Sequence, residues 1–267
     1  MKKLIALLLA VVLCVSFMSG CNLKKDLDYI QSNGKMTIGI TLFAPMNYKD
    51  ANGELIGFET EFAKAVCKEL NVEPNFQVIE WKSKETELKS KNIDCIWNGM
   101  TITDELLNNT DISTPYMQNK QVLVVKAENA KKYTDAASLK GAKIVAEANS
   151  AGERSAQTND LFKDAEYTAV DAMSTALMEV KAGTADAAVI DYVMTIGSTG
   201  EGTDYANLVM AENISLASEP EQYGIAFRKN SPKTLEAVNA AIKKLAENGT
   251  LDEIGKKYKL DELLIVE

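Results

Sequence analysis

Three short stretches carry polar groups whose types and spacing could do chemistry. In Ile93–Thr103 an apolar run stops at Asn98-Gly99 and is followed by Met100-Thr101-Ile102-Thr103. The run is too short for a helix and reads as a buried strand. Asn98-Gly99 tolerates the positive φ of a tight turn. Thr103, followed by Asp104 and Glu105, reads as a helix N-cap. Backbone N–H groups and the Asn98 and Thr101 side chains are therefore expected at the carboxyl end of a strand, where open α/β sheets bind small ligands. Asn149-Ser150-Ala151-Gly152-Glu153 repeats this design, and the buried strand Ala187–Ile190 ends on Asp191. An ordinary strand-to-helix connection fits the first stretch as well, and a solvated strand-end acid fits Asp191.

No histidine occurs in the 267 residues. This removes the commonest general base and the commonest metal ligand. Ser-His-Asp and Cys-His devices are excluded within the chain, and nothing in the sequence implies a metal or a cofactor.

The amino terminus reads as an export signal. Met1-Lys2-Lys3 is basic, Leu4–Val15 is apolar, and Met18-Ser19-Gly20-Cys21 closes the run. The run is too short for a stable membrane span. The residues before Cys21 resemble a bacterial lipobox, with Met18 where Leu is commoner. That resemblance implies a signal peptide over 1–20, cleavage before Cys21, a lipid such as palmitate on its thiol, and a tether over 21–25. An ordinary secretory signal cut nearby would give the same export. Loss of residues 1–20 removes two lysines and no acid, leaving 27 basic and 38 acidic residues, a net charge of −11. Such a surface argues against nucleic acid as a partner. Cys14 leaves with the signal. Cys67 and Cys95 remain, and export permits either a disulfide or two buried thiols.

These groups need elements to position them. Met36–Ile40, Phe76–Trp81, Gln121–Val125, Lys143–Ala146 and Gly224–Phe227 read as strands. Phe58, Phe62, Val66 and Leu70 recur at intervals of four and give a helix one apolar stripe. Lys82–Lys91 reads as a charged helix. Met173, Ala176, Leu177 and Val180 mark another helix, stopped by Gly183. Ser231-Pro232 opens a long helix, and Thr250 with Glu253 forms a capping box for the last one. Alternating strands and helices predict an α/β fold with largely parallel sheets.

Taken in order, the pieces resemble the extracytoplasmic solute-binding proteins of the polar amino-acid ABC-transporter family. Gly57–Ala65 is similar to that family's first-helix motif, Ile93–Thr103 to its central motif, and Thr114-Pro115-Tyr116 to its lobe exit. Leu139-Lys140-Gly141, Gly183–Ala187 and Tyr223–Arg228 resemble its second-lobe and return motifs, and Asn248–Leu251 its last turn. No single piece is specific; the order over most of the chain is. The resemblance implies a type II periplasmic-binding-protein fold. Each of its two lobes would be a mixed sheet flanked by helices, and two hinge strands would join them. Lobe 1 would be residues 26–117 plus 223–267, and lobe 2 residues 118–222. The lobes would close on a ligand by hinge motion.

By the same resemblance, Phe43 and Trp81 are aromatics against the ligand. Asn98, Gly99, Met100 and Thr101 supply backbone and hydroxyl hydrogen bonds. Ser150 and Ala151 offer N–H groups at a helix start to a carboxylate. Asp191 takes the α-ammonium. Two departures stand out. The family's carboxylate-clamping arginine is replaced by Leu106, and its second acid by Ile40. Only Arg154 and Arg228 are present, and Arg228 reads as structural. The carboxylate would be held by Arg154 or by backbone N–H groups alone, or the ligand lacks it. The implied function is capture of an amino acid or related amine-bearing solute by a monomeric, lipid-anchored, non-enzymatic protein outside the bacterial membrane, with delivery to an ABC permease. A lipid-anchored sensor and a dehydratase-like enzyme on the same fold are the alternatives.

Overall fold

A computed structural model describes residues 26–216 and 220–266. The expected signal peptide, tether and Cys21 lie outside the described residues.

After α1 (Asp26–Asn33) the chain forms β1 (Lys35–Ile40), the small hairpin β2 (Tyr48–Lys49) and β3 (Leu55–Ile56), then α2 (Phe58–Glu69) and β4 (Glu73–Val78). Next come α3 (Lys84–Lys89), β5 (Cys95–Ile96), α4 (Asp104–Asn109), β6 (Thr110–Ile112), β7 (Met117–Asn119) and β8 (Gln121–Lys126). β9 (Lys143–Glu147), α5 (Ala151–Thr158), β10 (Glu166–Val170), α6 (Met173–Ala182), β11 (Ala187–Asp191), α7 (Tyr192–Ser198) and β12 (Leu208–Met210) follow. The chain returns through β13 (Glu221–Tyr223) and β14 (Ala226–Arg228) to α8 (Pro232–Glu247) and α9 (Thr250–Tyr258).

Two five-stranded sheets result, ordered β4-β1-β5-β14-β6 and β10-β9-β11-β8-β12. Both are mixed. In the first, β1 pairs in parallel with β4 and β5, whereas β14 pairs antiparallel with β5 and β6. In the second, β9 pairs in parallel with β10 and β11, whereas β8 pairs antiparallel with β11 and β12. The largely parallel sheets expected from alternation are thus corrected. β8 and β14 follow crossing strands rather than crossover helices, so they enter their sheets in the opposite sense. The crossing strands β7 and β13 pair with each other, Met117 opposite Tyr223. They carry the chain from the first sheet to the second and back, giving two lobes.

Burial follows the apolar periods. Phe58, Phe62 and Val66 on α2 are fully buried. They join Trp97 and Tyr116 in an aromatic cluster, in which Phe62 meets Trp97 edge-on at 5.0 Å. Met173, Ala176, Leu177 and Val180 turn α6 onto the second sheet, and Gly183 ends it at φ 84°. Two local expectations fail. Lys82–Lys91 is not one helix, because a 3-10 turn over Trp81–Ser83 precedes α3. The capping box does not form, because Thr250 is already helical. Only Asn248-Gly249 separate α8 from α9, and that turn puts Gly249 at φ 80° as the cap. Cys67 and Cys95 are buried free thiols. Burial pushes the Cys67 thiol up to about 12 and Cys95 well above its ordinary value.

Candidate functional site

A cavity of about 360 Å³ lies between the lobes. The first lobe contributes Trp81, Lys84, the turn Asn98–Thr101 and Leu106; the second contributes Glu147, Asn149–Ala151, Arg154 and Asp191. The size suits a small polar metabolite.

Asp191 ends β11 and starts α7, so a buried strand delivers it to the cavity wall. Its Oδ1 accepts from Asn119 Nδ2 at 2.8 Å and from Gln121 Nε2 at 2.5 Å. The same amides donate to Glu221 Oε2, at 3.2 and 2.8 Å. Burial, and next the charge of Glu221, push Asp191 up to about 7. A desolvated carboxylate beside a second acid lacks a cation, which an ammonium entering the cavity would supply. Glu221 also accepts from Thr101 Oγ1 at 3.2 Å, so a crossing strand is tied to the first lobe's turn.

That turn is built differently from expectation. Asn98 borders the cavity, and its side chain is engaged within its own lobe. It accepts from Asn47 Nδ2 at 3.0 Å and donates to Thr41 Oγ1 at 2.6 Å. The Gly99 N–H is engaged within that lobe as well, donating to Glu59 Oε1 at 2.7 Å. Glu59 is fully buried on α2, and it also accepts from Asn47 Nδ2 at 2.9 Å and from the Tyr116 hydroxyl through a short bond. Burial pushes it up to about 7 although these hydrogen bonds oppose the shift. It acts from beneath as the anchor of the turn. Gly99 adopts φ 52°, and the Phe43 ring lies where its side chain would begin: an added Cβ would meet Phe43 Cζ at 2.9 Å. Phe43 is thus packed against the turn, 3% exposed, and is not among the residues that border the cavity. Its loop closes on itself, Phe43 N donating to Asn47 O at 2.8 Å, and the ring joins the core.

Trp81, Met100, Thr101, Ser150 and Ala151 do border the cavity. Ser150 caps α5, its Oγ accepting from Glu153 N at 3.0 Å. Leu106 is buried among Trp81 and Met100, so an apolar surface occupies the position where the resemblance places an arginine. Arg154 is exposed at the rim. Arg228 holds the first lobe together, donating to Asp26 Oδ2 at 2.9 Å, Asp94 Oδ1 at 3.0 Å and Ile93 O at 2.6 Å.

Two buried charged wall residues escape sequence reasoning, Lys84 and Glu147. Lys84 reads as part of a solvated charge run, yet it is 6% exposed. Its Nζ lies 4.7 Å from the centre of the Trp81 ring and donates across the cleft to Asn149 O at 2.9 Å. Burial lowers its pKa. Glu147 ends β9, where strand alternation gives no hint of an ionisable wall. The lobes also touch through Asn149 Nδ2 to Lys82 O, 3.2 Å, and through Lys82 to Asp171, 2.9 Å. Ser198 Oγ donates to Ala44 O at 3.2 Å elsewhere along the interface.

This geometry agrees with what known proteins share with the chain. Residues 36–261 match the bacterial extracellular solute-binding proteins, family 3. The L-cystine-binding protein TcyJ of Escherichia coli K12 is 28% identical over 258 residues, covering 92% of each chain. Among solved structures, an amino acid ABC transporter substrate-binding protein of Streptococcus pneumoniae bound to L-arginine superimposes with a TM-score of 0.78. It is 27% identical, over 88% of this chain and 98% of that one. An ancestral amino acid-binding protein described as a precursor of cyclohexadienyl dehydratase gives 0.76 at 30% identity, over 88% and 99%. The motif resemblance, the two-lobed α/β fold and the match over most of the length converge: the chain belongs to the bacterial extracellular solute-binding proteins, family 3.

Proposed function

We propose that the chain is the extracytoplasmic substrate-binding component of an ABC importer. It captures an amino acid or closely related amine between its lobes, 26–117 plus 223–267 against 118–222, and hands it to a membrane permease. The observation that carries this reading is Asp191: a buried carboxylate, oriented by two amides, facing a polar cavity between lobes. Its role is to take the ligand's ammonium. Lys84 on the opposite wall, with the N–H groups at the start of α5, takes the carboxylate in place of the missing arginine. The buried ammonium of Lys84 disfavours a ligand without an acid group. Trp81 and Leu106 give the ligand an apolar wall and exclude water.

The names of the relatives support an amino-acid ligand, since the similar proteins bind L-cystine and L-arginine. Binding and release without chemistry is the reading for this chain. The neighbour linked to a dehydratase is itself described as amino acid-binding. Lipid attachment at Cys21 would tether the lobes outside the membrane. Among the described residues no helix is long and apolar enough to cross a membrane.

Isothermal titration against the proteinogenic amino acids tests the reading. At least one is expected to bind, to be recovered unaltered, and to lose about tenfold or more in affinity in Asp191→Asn, roughly 1.4 kcal/mol or more. An Asp191→Asn protein that binds as well as the parent would remove Asp191 from the role.

A further inference from the structure

The cavity wall contains a second buried acid that the amino-acid reading does not use. Glu147 is 2% exposed, and its Oε1 has no hydrogen-bond partner. Buried polar atoms are almost always paired. An unpaired carboxyl oxygen on a residue that borders a ligand cavity can accept from a donor the ligand brings. Lys84 faces the same cavity but forms no ion pair with Glu147 among the described residues, so the two are held apart rather than neutralised.

The buried charges on the wall set the complement. They are one cation, Lys84, and two acids, Glu147 and Asp191. A neutral amino acid answers only Lys84 and Asp191. A ligand with one carboxylate and two cationic nitrogen groups answers all three. We infer that Glu147 is a second recognition acid, reading a cationic side chain, and that the ligand is a dibasic amino acid. This rests on the reading of Asp191 given above and narrows it.

The electrostatics agree. Burial, and next the charge of Asp191, push Glu147 up to about 8, with Lys84 opposing. Without a cation the site is too acidic to keep both acids ionised; a cationic side chain beside Glu147 removes that conflict. A neutral side chain would leave Oε1 of this desolvated acid unpaired, beside the hydrogen bond the carboxyl accepts from the Met173 backbone.

The test compares L-arginine with L-citrulline, which keeps the shape and removes the charge, in the parent protein and in Glu147→Gln. The parent is expected to favour arginine by about tenfold or more, as expected when a buried charge pair is broken. Glu147→Gln, with its thermal unfolding checked, should bring the ratio near one. Equal affinities in the parent would overturn the inference without any variant, as would a ratio unchanged in Glu147→Gln. In either case tight binding of other amino acids would leave the Asp191 reading standing. If no amino acid bound at all, the amino-acid reading itself would fall, and this inference with it.

Discussion

Asp191 is costly to the empty protein and useful to the filled one. Its carboxylate is buried beside Glu221, and Glu147 and Glu59 add two more buried acids to the same region. All three have folded-state pKa values raised above the ordinary carboxylate range: about 7 for Glu59, about 8 for Glu147 and about 7 for Asp191. A raised carboxyl binds its proton more tightly in the folded state than in the unfolded one. The stability it contributes is present below the unfolded pKa and is lost as pH rises through the folded value. The ligand-free protein is therefore expected to melt at a lower temperature at about pH 8.5 than at about pH 5.5. Affinity for an ammonium ligand should move the opposite way, rising over the same interval as the acids ionise. Thermal melts with and without ligand across this range check both signs. A ligand-free melting temperature that rose with pH would contradict the burial of these groups.

At the residue level, legibility depended on neighbours in the chain. Asp191 could be read because a run of small and β-branched apolar residues delivers it to a strand end. Glu147 sits at an equivalent strand end, but Ala148-Asn149 follows instead of a helix start, so nothing local marked it. Lys84 was hidden in a charge run that looks solvated. Its burial is a property of the second lobe, whose Asn149 carbonyl receives its ammonium. Phe43 and the side chain of Asn98 show the opposite case. Residue types that suit a ligand were drawn into packing and into the Asn47–Glu59 network, which no local pattern reveals.

Among the elements, α7 approaches the opposite lobe closely. A Cβ on Gly197 would fall 2.7 Å from Pro45 N and 2.8 Å from Ala44 C. Backbone cannot move aside as a flexible side chain can, so Gly197→Ala should hold the lobes apart. The expected result is ligand binding weakened by roughly tenfold, with a ligand-free thermal midpoint close to the parent's. Titration calorimetry beside a thermal melt separates the two effects. Unaltered affinity would show that this contact is not part of the closed form. Helices and central strands were readable because their apolar periods are long: α2 and α6 bury the residues their spacing selects. The sense of β8 and β14 was not, since strand direction is decided by the route of the chain between lobes.

For the whole molecule, two sheets linked by the paired strands β7 and β13 make a hinge, and Glu221 on β13 joins that hinge to the wall of the cavity. A ligand cation neutralising Asp191 would thus act beside the strands that cross between lobes. Attachment to the membrane through a lipid on Cys21 is part of the proposal. Cys21→Ala is expected to move the protein from the membrane fraction to the medium or periplasm on fractionation; a membrane fraction unchanged in that variant would rule out lipidation at Cys21.

A crystal structure of the protein with its tightest-binding amino acid tests the central claim most directly. The ligand's α-ammonium should lie about 3 Å from the Asp191 carboxylate, with its carboxylate toward Lys84 and the start of α5. A ligand bound outside the cleft, or turned so that its carboxylate faces Asp191, would contradict the account.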